Sequence, residues 1–223
     1  MNGSLKQTFI NPHFMKVYRI LFLGTVLIMF SCHGPKNLFR NGFSAEQTAL
    51  IMDSDSLTPM SVYKITDKKD SLLLRTKSSK IKANPDDVVL QQFVKRLYAT
   101  VRDSMSMGVG IAAPQVGILK NIIWVQRFDK ENLPFEVYLN PVIKEYSKKK
   151  QVCKEGCLSI PDRSDTLSTR AFSIKIAYDT IEDQHKTETV EGFTSVIFQH
   201  EIDHLNGILY LDHLSKEIQD ATK

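Results

Sequence analysis

Gln199-His200-Glu201-Ile202-Asp203-His204 is the stretch from which the fold and the chemistry of this chain are read. It lies within a run, Phe193 to Leu205, whose apolar residues return at helical spacing, and Asn206-Gly207 follows as a C-terminal cap. On an α-helix, residues four apart differ by about 40° in azimuth and about 6 Å in height, so His200 and His204 present their imidazoles side by side. Two imidazoles so placed can chelate one metal ion. Glu201 sits about 100° around the helix from His200, where a carboxylate need not bind the ion and can instead take a proton from water activated beside it. The third ligand then decides the class of hydrolase.

A zincin protease draws that ligand from downstream. Gly207 fits the metzincin continuation, but Tyr210 stands where its last histidine belongs and His213 falls off the pattern. Upstream, Glu155-Gly156-Cys157-Leu158-Ser159 offers a thiolate after a glycine-containing turn. Further upstream, Gly108-Val109-Gly110-Ile111-Ala112-Ala113-Pro114-Gln115 is a segment of small residues that ends in an amide side chain. Small residues there suit the close backbone approach of an extended peptide.

These three blocks, in this order, resemble the peptide deformylase family, whose pattern runs G-x-G-x-A-A-x-Q, E-G-C-L-S, Q-H-E-x-D-H. The similarity extends from Val62 to Leu214 and takes in Leu74-Arg75 and Asn140-Pro141. The resemblance implies that Cys157, His200 and His204 hold one divalent metal ion, with Fe2+ expected first and Zn2+, Ni2+ or Co2+ admissible, and a fourth position left to water. Glu201 becomes general base and then acid. The Leu158 N–H and the Gln115 amide become donors to the developing oxyanion, each worth about 3 kcal/mol.

The implied substrate is an N-formylmethionyl peptide or nascent chain, which loses formate. Val109 and Gly110 would flank its backbone, and Phe193, Val196 and Ile197 would meet the methionine side chain. Glu155 resembles a carboxylate that steadies the site, with Arg170 or Arg163 as partner, although Arg163 is displaced from the arginine position many members use. Cys153 reads as a plain, partly exposed thiol. Two other readings remain at this point: a lipid-anchored protein that keeps the fold and binds peptides without turnover, and a zinc protease.

The rest of the chain reads as α+β. Val88 to Met105 is an amphipathic helix behind an Asn84-Pro85-Asp86 cap, and Ile122–Gln126 and Glu136–Asn140 read as strands. Ile174–Tyr178 pairs with Thr187–Val190 across Glu182-Asp183-Gln184. The expected architecture is that of a deformylase, with antiparallel sheets packed around the central HExxH helix, over residues 57–223 of the 223.

Residues 1–31 read as a targeting segment. Met15-Lys-Val-Tyr-Arg19 leads into the apolar run Ile20 to Phe30, too short to span a membrane, and Ser31-Cys32 resembles a lipoprotein cleavage site. Met15 is the expected start, Cys32 the expected lipidation site, and 32–56 a polar tether. That places the chain outside the cytoplasm, anchored to the membrane only through lipid; without the signal it would be cytoplasmic. The net charge of +4 includes Lys6, Lys16 and Arg19, and without them 26 cations face 25 Asp and Glu. Nucleic-acid binding is therefore not expected. A monomer is.

Overall fold

The computed structural model describes residues 42–103 and 108–222, with Gly3. The elements below fall within Pro35–Lys223, one of two units into which the chain divides. The targeting segment 1–31, the start at Met15 and the lipidation site Cys32 lie outside the described residues. Among those described, no helix is long and apolar enough to cross a membrane.

Helices α1 (Ala45–Met52), α2 (Lys68–Leu74) and α3 (Val88–Arg102) precede strand β1 (Gly110–Ala112), which passes into a 3-10 turn, Ala113–Val116. Strands β2 (Ile122–Gln126), β3 (Phe135–Tyr146), β4 (Lys150–Cys157), β5 (Ile160–Ala171), β6 (Ser173–Asp179) and β7 (His185–Glu191) follow. Helices α4 (Gly192–Leu205) and α5 (Tyr210–Ala221) complete the order. One antiparallel sheet has the order β1-β2-β3-β6-β7, and β4 and β5 form a separate hairpin.

The HExxH segment is α4, and it packs on the larger sheet. Ile123, Val125, Tyr138, Ile174 and Ile176 meet Ile197, Phe198 and Ile202 in one apolar cluster, as the alternation in β6 requires. Even the polar Gln199 is buried on α4, and it is satisfied there: its Oε1 accepts from Ala171 N at 3.0 Å and its Nε2 donates to Ala171 O at 3.0 Å. Gly207 ends the helix at φ +72°. A Cβ there would also lie 2.4 Å from Arg75 O, so no other residue fits without moving backbone.

The structure departs from the sequence reading in four places. The segment 32–56 is not a bare tether: Ser44 caps α1, Phe43 and Ile51 enter the core, and buried Arg96 of α3 donates to Leu50 O at 2.9 Å and Ile51 O at 3.0 Å. The α3 cap is Asp87, whose carboxylate accepts from Val89 N and Leu90 N. Strand β3 continues through Asn140-Pro141, because Asn140 adopts φ +51° at a bulge and the ladder resumes beyond it. The hairpin β4–β5 and the short helix α2 carry no periodic apolar signal in the sequence, whereas α5, a further helix absent from the sequence reading, does carry one in Leu211, Leu214 and Ile218.

Candidate active site

The β4–β5 hairpin delivers the thiol and α4 delivers both imidazoles. Cys157, paired with Ile160 where the hairpin turns, places its Sγ 3.2 Å from His204 Nε2. The Cys157 sulfur and one nitrogen of each of His200 and His204, atoms that could hold a metal ion, all lie within 4.8 Å of one another. Burial pushes the Cys157 thiol up, yet His204 and His200 outweigh it and hold it well below the usual thiol range. Burial presses the His200 imidazole down, and Cys157 and Glu155 lift it well above its ordinary value. The arrangement therefore favours positive charge between a thiolate and two rings. His204 Nδ1 and Glu201 Oε2 are buried with no partner among the described residues. One soft sulfur and two imidazole nitrogens suit a borderline divalent metal, so this donor set fits such an ion.

Behind Cys157, His200 and His204 runs a chain of charged hydrogen bonds. His200 Nδ1 lies 2.8 Å from Glu155 Oε2, and a carboxylate only accepts, so Nδ1 holds the proton and Nε2 is the donor atom free for a metal. Arg170 grips Glu155 bidentately, Nε to Oε1 at 2.7 Å and Nη2 to Oε2 at 2.9 Å. Burial would raise the Glu155 carboxyl, but His200 and Arg170 bring it down to about 2. Arg170 Nη1 also donates to Asp203 Oδ2 at 2.7 Å, which lies 2.8 Å from His213 Nε2. Of the two expected partners for Glu155, the structure therefore selects Arg170. Arg163 instead pairs with Asp165 at 2.7 Å on the rim of the cleft.

Gln115 is held by both ends. Its Oε1 accepts from Ala112 N at 2.8 Å, which turns the NH2 group toward the thiol, where Nε2 donates to Ser159 Oγ at 3.3 Å and lies 3.6 Å from Cys157 Sγ. Gly110 matters for a reason beyond peptide approach: a Cβ there would lie 2.5 Å from Glu201 Oε1 and 2.8 Å from Ile197 Cγ2. A cleft of about 480 Å3 opens on these groups. Val109, Gly110, Leu158, Phe193, Val196 and Ile197 all line it. Val196 and Ile197 are 2% and 4% exposed, whereas Phe193 is 43% exposed. Cys153 is a free, partly buried thiol.

The family described as polypeptide deformylase matches residues 61–220. A peptide deformylase of a Drosophila simulans Wolbachia is 36% identical over 166 residues, covering 70% of this chain and 89% of its own length. The chain belongs to the peptide deformylase family. A second relative, the peptide deformylase of Desulforudis audaxviator, is 36% identical over 161 residues, covering 69% of this chain and 94% of that one. The structure also aligns with the Met-Ala-Ser-bound class I type b peptide deformylase of Acinetobacter baumannii, at TM-score 0.61 and 33% identity, over 70% of this chain and 98% of that one. The peptide deformylase of Thermotoga maritima aligns at TM-score 0.60 and 29% identity, over 70% and 97%.

Three residues at the deformylase site escaped the sequence reading. Lys64 donates to Leu158 O at 2.5 Å and pins the backbone next to Cys157. Ser159 anchors Gln115, and Asp203 extends the Arg170 chain. Lys64 carried no signal, but Ser159 and Asp203 lie inside the quoted blocks. Because Glu155 orients His200 and raises its basicity, Glu155→Gln is expected to weaken metal binding about 10- to 100-fold, measured by competition with a chelator. Circular dichroism should stay native in that variant.

Proposed function

We propose that this chain binds one divalent ion through Cys157, His200 and His204 and removes formate from N-formylmethionyl peptides. The observation that carries this reading is the convergence of a hairpin thiol and two helix imidazoles beside a buried carboxylate, at a cleft of about 480 Å3. An ion held there, ferrous iron being the expected one, supplies Lewis acidity at the carbonyl and to water. Glu201, buried and unpartnered at Oε2, takes the proton from attacking water and returns it to the leaving amine. Gln115, its oxygen already engaged, turns N–H groups toward the developing oxyanion, alongside the Leu158 N–H. Val196 and Ile197, one turn before His200, offer the buried apolar wall that a methionine side chain would meet.

The test is formate release from formyl-Met-Ala-Ser by protein loaded with Fe2+ or Ni2+, paired with metal analysis. One equivalent of metal and Glu201-dependent formate support the reading. Metal without formate would make the chain a peptide binder, and cleavage of internal peptide bonds would make it a protease.

The location is part of the same proposal. The run Ile20 to Phe30 followed by Ser31-Cys32 supports translation from Met15, cleavage before Cys32 and a lipid anchor outside the cytoplasm, with a monomeric enzyme acting on exported or released formyl peptides. N-terminal mass spectrometry of the membrane fraction is expected to find an acylated Cys32. An unlipidated chain in the cytosol, beginning upstream of Cys32, would refute it.

A further inference from the structure

We infer that Lys64 is a positioning residue for the oxyanion donors: its ammonium, with the backbone on either side of it, sets the placement of the Gln115 amide and the Leu158 N–H relative to each other. This rests on the deformylase reading of the cleft. The two donors come from separate elements, Gln115 from the 3-10 turn after β1 and Leu158 from the turn between β4 and β5. A pair of donors serves one developing charge only if both stand at hydrogen-bond distance from the same point. The two turns therefore have to be held together.

Residues 63–65 span them both. Tyr63 N donates to Gln115 O at 2.7 Å, and Ile65 N donates to Ser159 O at 3.0 Å. Between them Lys64 Nζ donates to Leu158 O at 2.5 Å, so three successive residues grip the two donor-bearing turns. The strap is itself fixed from outside. Lys64 N donates to Asp70 Oδ2 on α2 at 3.0 Å, and Lys64 O accepts from Asp67 N at 3.1 Å. Tyr63 lies against the 3-10 turn so closely that a Cβ on Gly117 would stand 2.7 Å from its Oη.

The lysine bond acts on the donor itself. Leu158 O and Leu158 N flank one Cα, so holding the carbonyl plane restricts the rotation that would swing the N–H away. Lys64 is half-buried, lines the cleft and enters no ion pair among the described residues. Its ordered ammonium is spent on a carbonyl beside Cys157 rather than on a carboxylate. Cys157 itself is placed by pairing with Ile160 across the hairpin, independently of Lys64. Loss of the lysine should thus disturb the oxyanion donors and spare the metal.

The test is formate release from formyl-Met-Ala-Ser by Ni2+-loaded Lys64→Met, read beside chelator competition for the metal. The variant keeps the stem and lacks the donor. Its kcat is expected to fall about 20-fold, with KM within about twofold and metal affinity as in the wild type. Lys64→Arg, which restores a donor of similar reach, is expected to recover most of kcat. In Gln115→Ala, where one donor is already gone, Lys64→Met should cost less than it does in the wild type. An unchanged kcat, a loss of metal affinity that matches the loss of kcat, an arginine variant as slow as the methionine one, or full additivity with Gln115→Ala overturns the inference while formate release by the wild type stands. Absence of formate from the wild type overturns the deformylase reading and this inference together.

Discussion

Glu201→Gln is expected to lower kcat for formate release about 1,000-fold while metal content and fold are retained, the scale of a lost general acid–base group. Glutamine keeps the shape and the burial but cannot take a proton. Glu201 is not among the three converging donors, so chelator competition should return the wild-type metal affinity. The same carboxyl sets the acid limb of the pH profile. Burial pushes it up to about 7 against the lowering pull of His200 and His204. A bound cation favours the charged form further, so the limb should lie at or below that value. The base works as carboxylate, so activity falls as pH falls through this pKa, and kcat/KM should rise with pH below neutrality. In Glu201→Gln the residual rate should lose that slope. A variant with near-wild-type kcat, or one that keeps the same limb, would assign the proton transfer to another group.

The central helix was legible because its evidence is local. The apolar spacing of Phe193–Leu205 and the cap at Asn206-Gly207 are properties of adjacent residues, and α4 matches them. The hairpin of β6 and β7 was legible for the same reason, with Ile174 and Ile176 alternating against Lys175. The β4–β5 hairpin was not. Its strands are rich in Lys, Arg, Asp, Ser and Thr, and part of what they bury is charged: Glu155 and Arg170 satisfy each other across the hairpin, so burial leaves no hydrophobic trace. Helix α1 was missed likewise. Much of its anchorage comes from Arg96, more than forty positions away, whose side chain looks solvent-bound until the carbonyls of residues 50 and 51 meet it.

The site divides along the same line. Spacing alone brings His200 and His204 together, but nothing local ties Cys157 to them. Cys157 joins them in the sequence only through the order of the three motif blocks, and its 3.2 Å approach to His204 depends on the register of a hairpin the sequence did not reveal. Buried Arg127 belongs to no block. Arg127 pairs with Asp129 two positions on, but its burial also depends on Glu188 of β7, far along the chain.

Gly110→Ala should damage catalysis with little effect on the fold, because the added methyl falls where Glu201 must stand. The contacts are 2.5 Å to Oε1 and 2.8 Å to Ile197 Cγ2, so at least one neighbour has to move. Ile197 is buried against the sheet, in a close-packed cluster that resists displacement. The carboxylate is the softer partner, since rotation about its side-chain bonds relieves the clash at modest cost. That relief displaces the proton acceptor by about 1 Å, an error on the order of 100-fold in rate even without loss of any functional group. Formate release under saturating formyl-Met-Ala-Ser should therefore drop about 100-fold in kcat, while the metal remains bound because its three ligands lie on β4 and α4. If β1 served only as a surface for peptide backbone, the methyl would instead raise KM and spare kcat. The split between the two constants thus reports whether Gly110 makes room chiefly for the substrate or for the base.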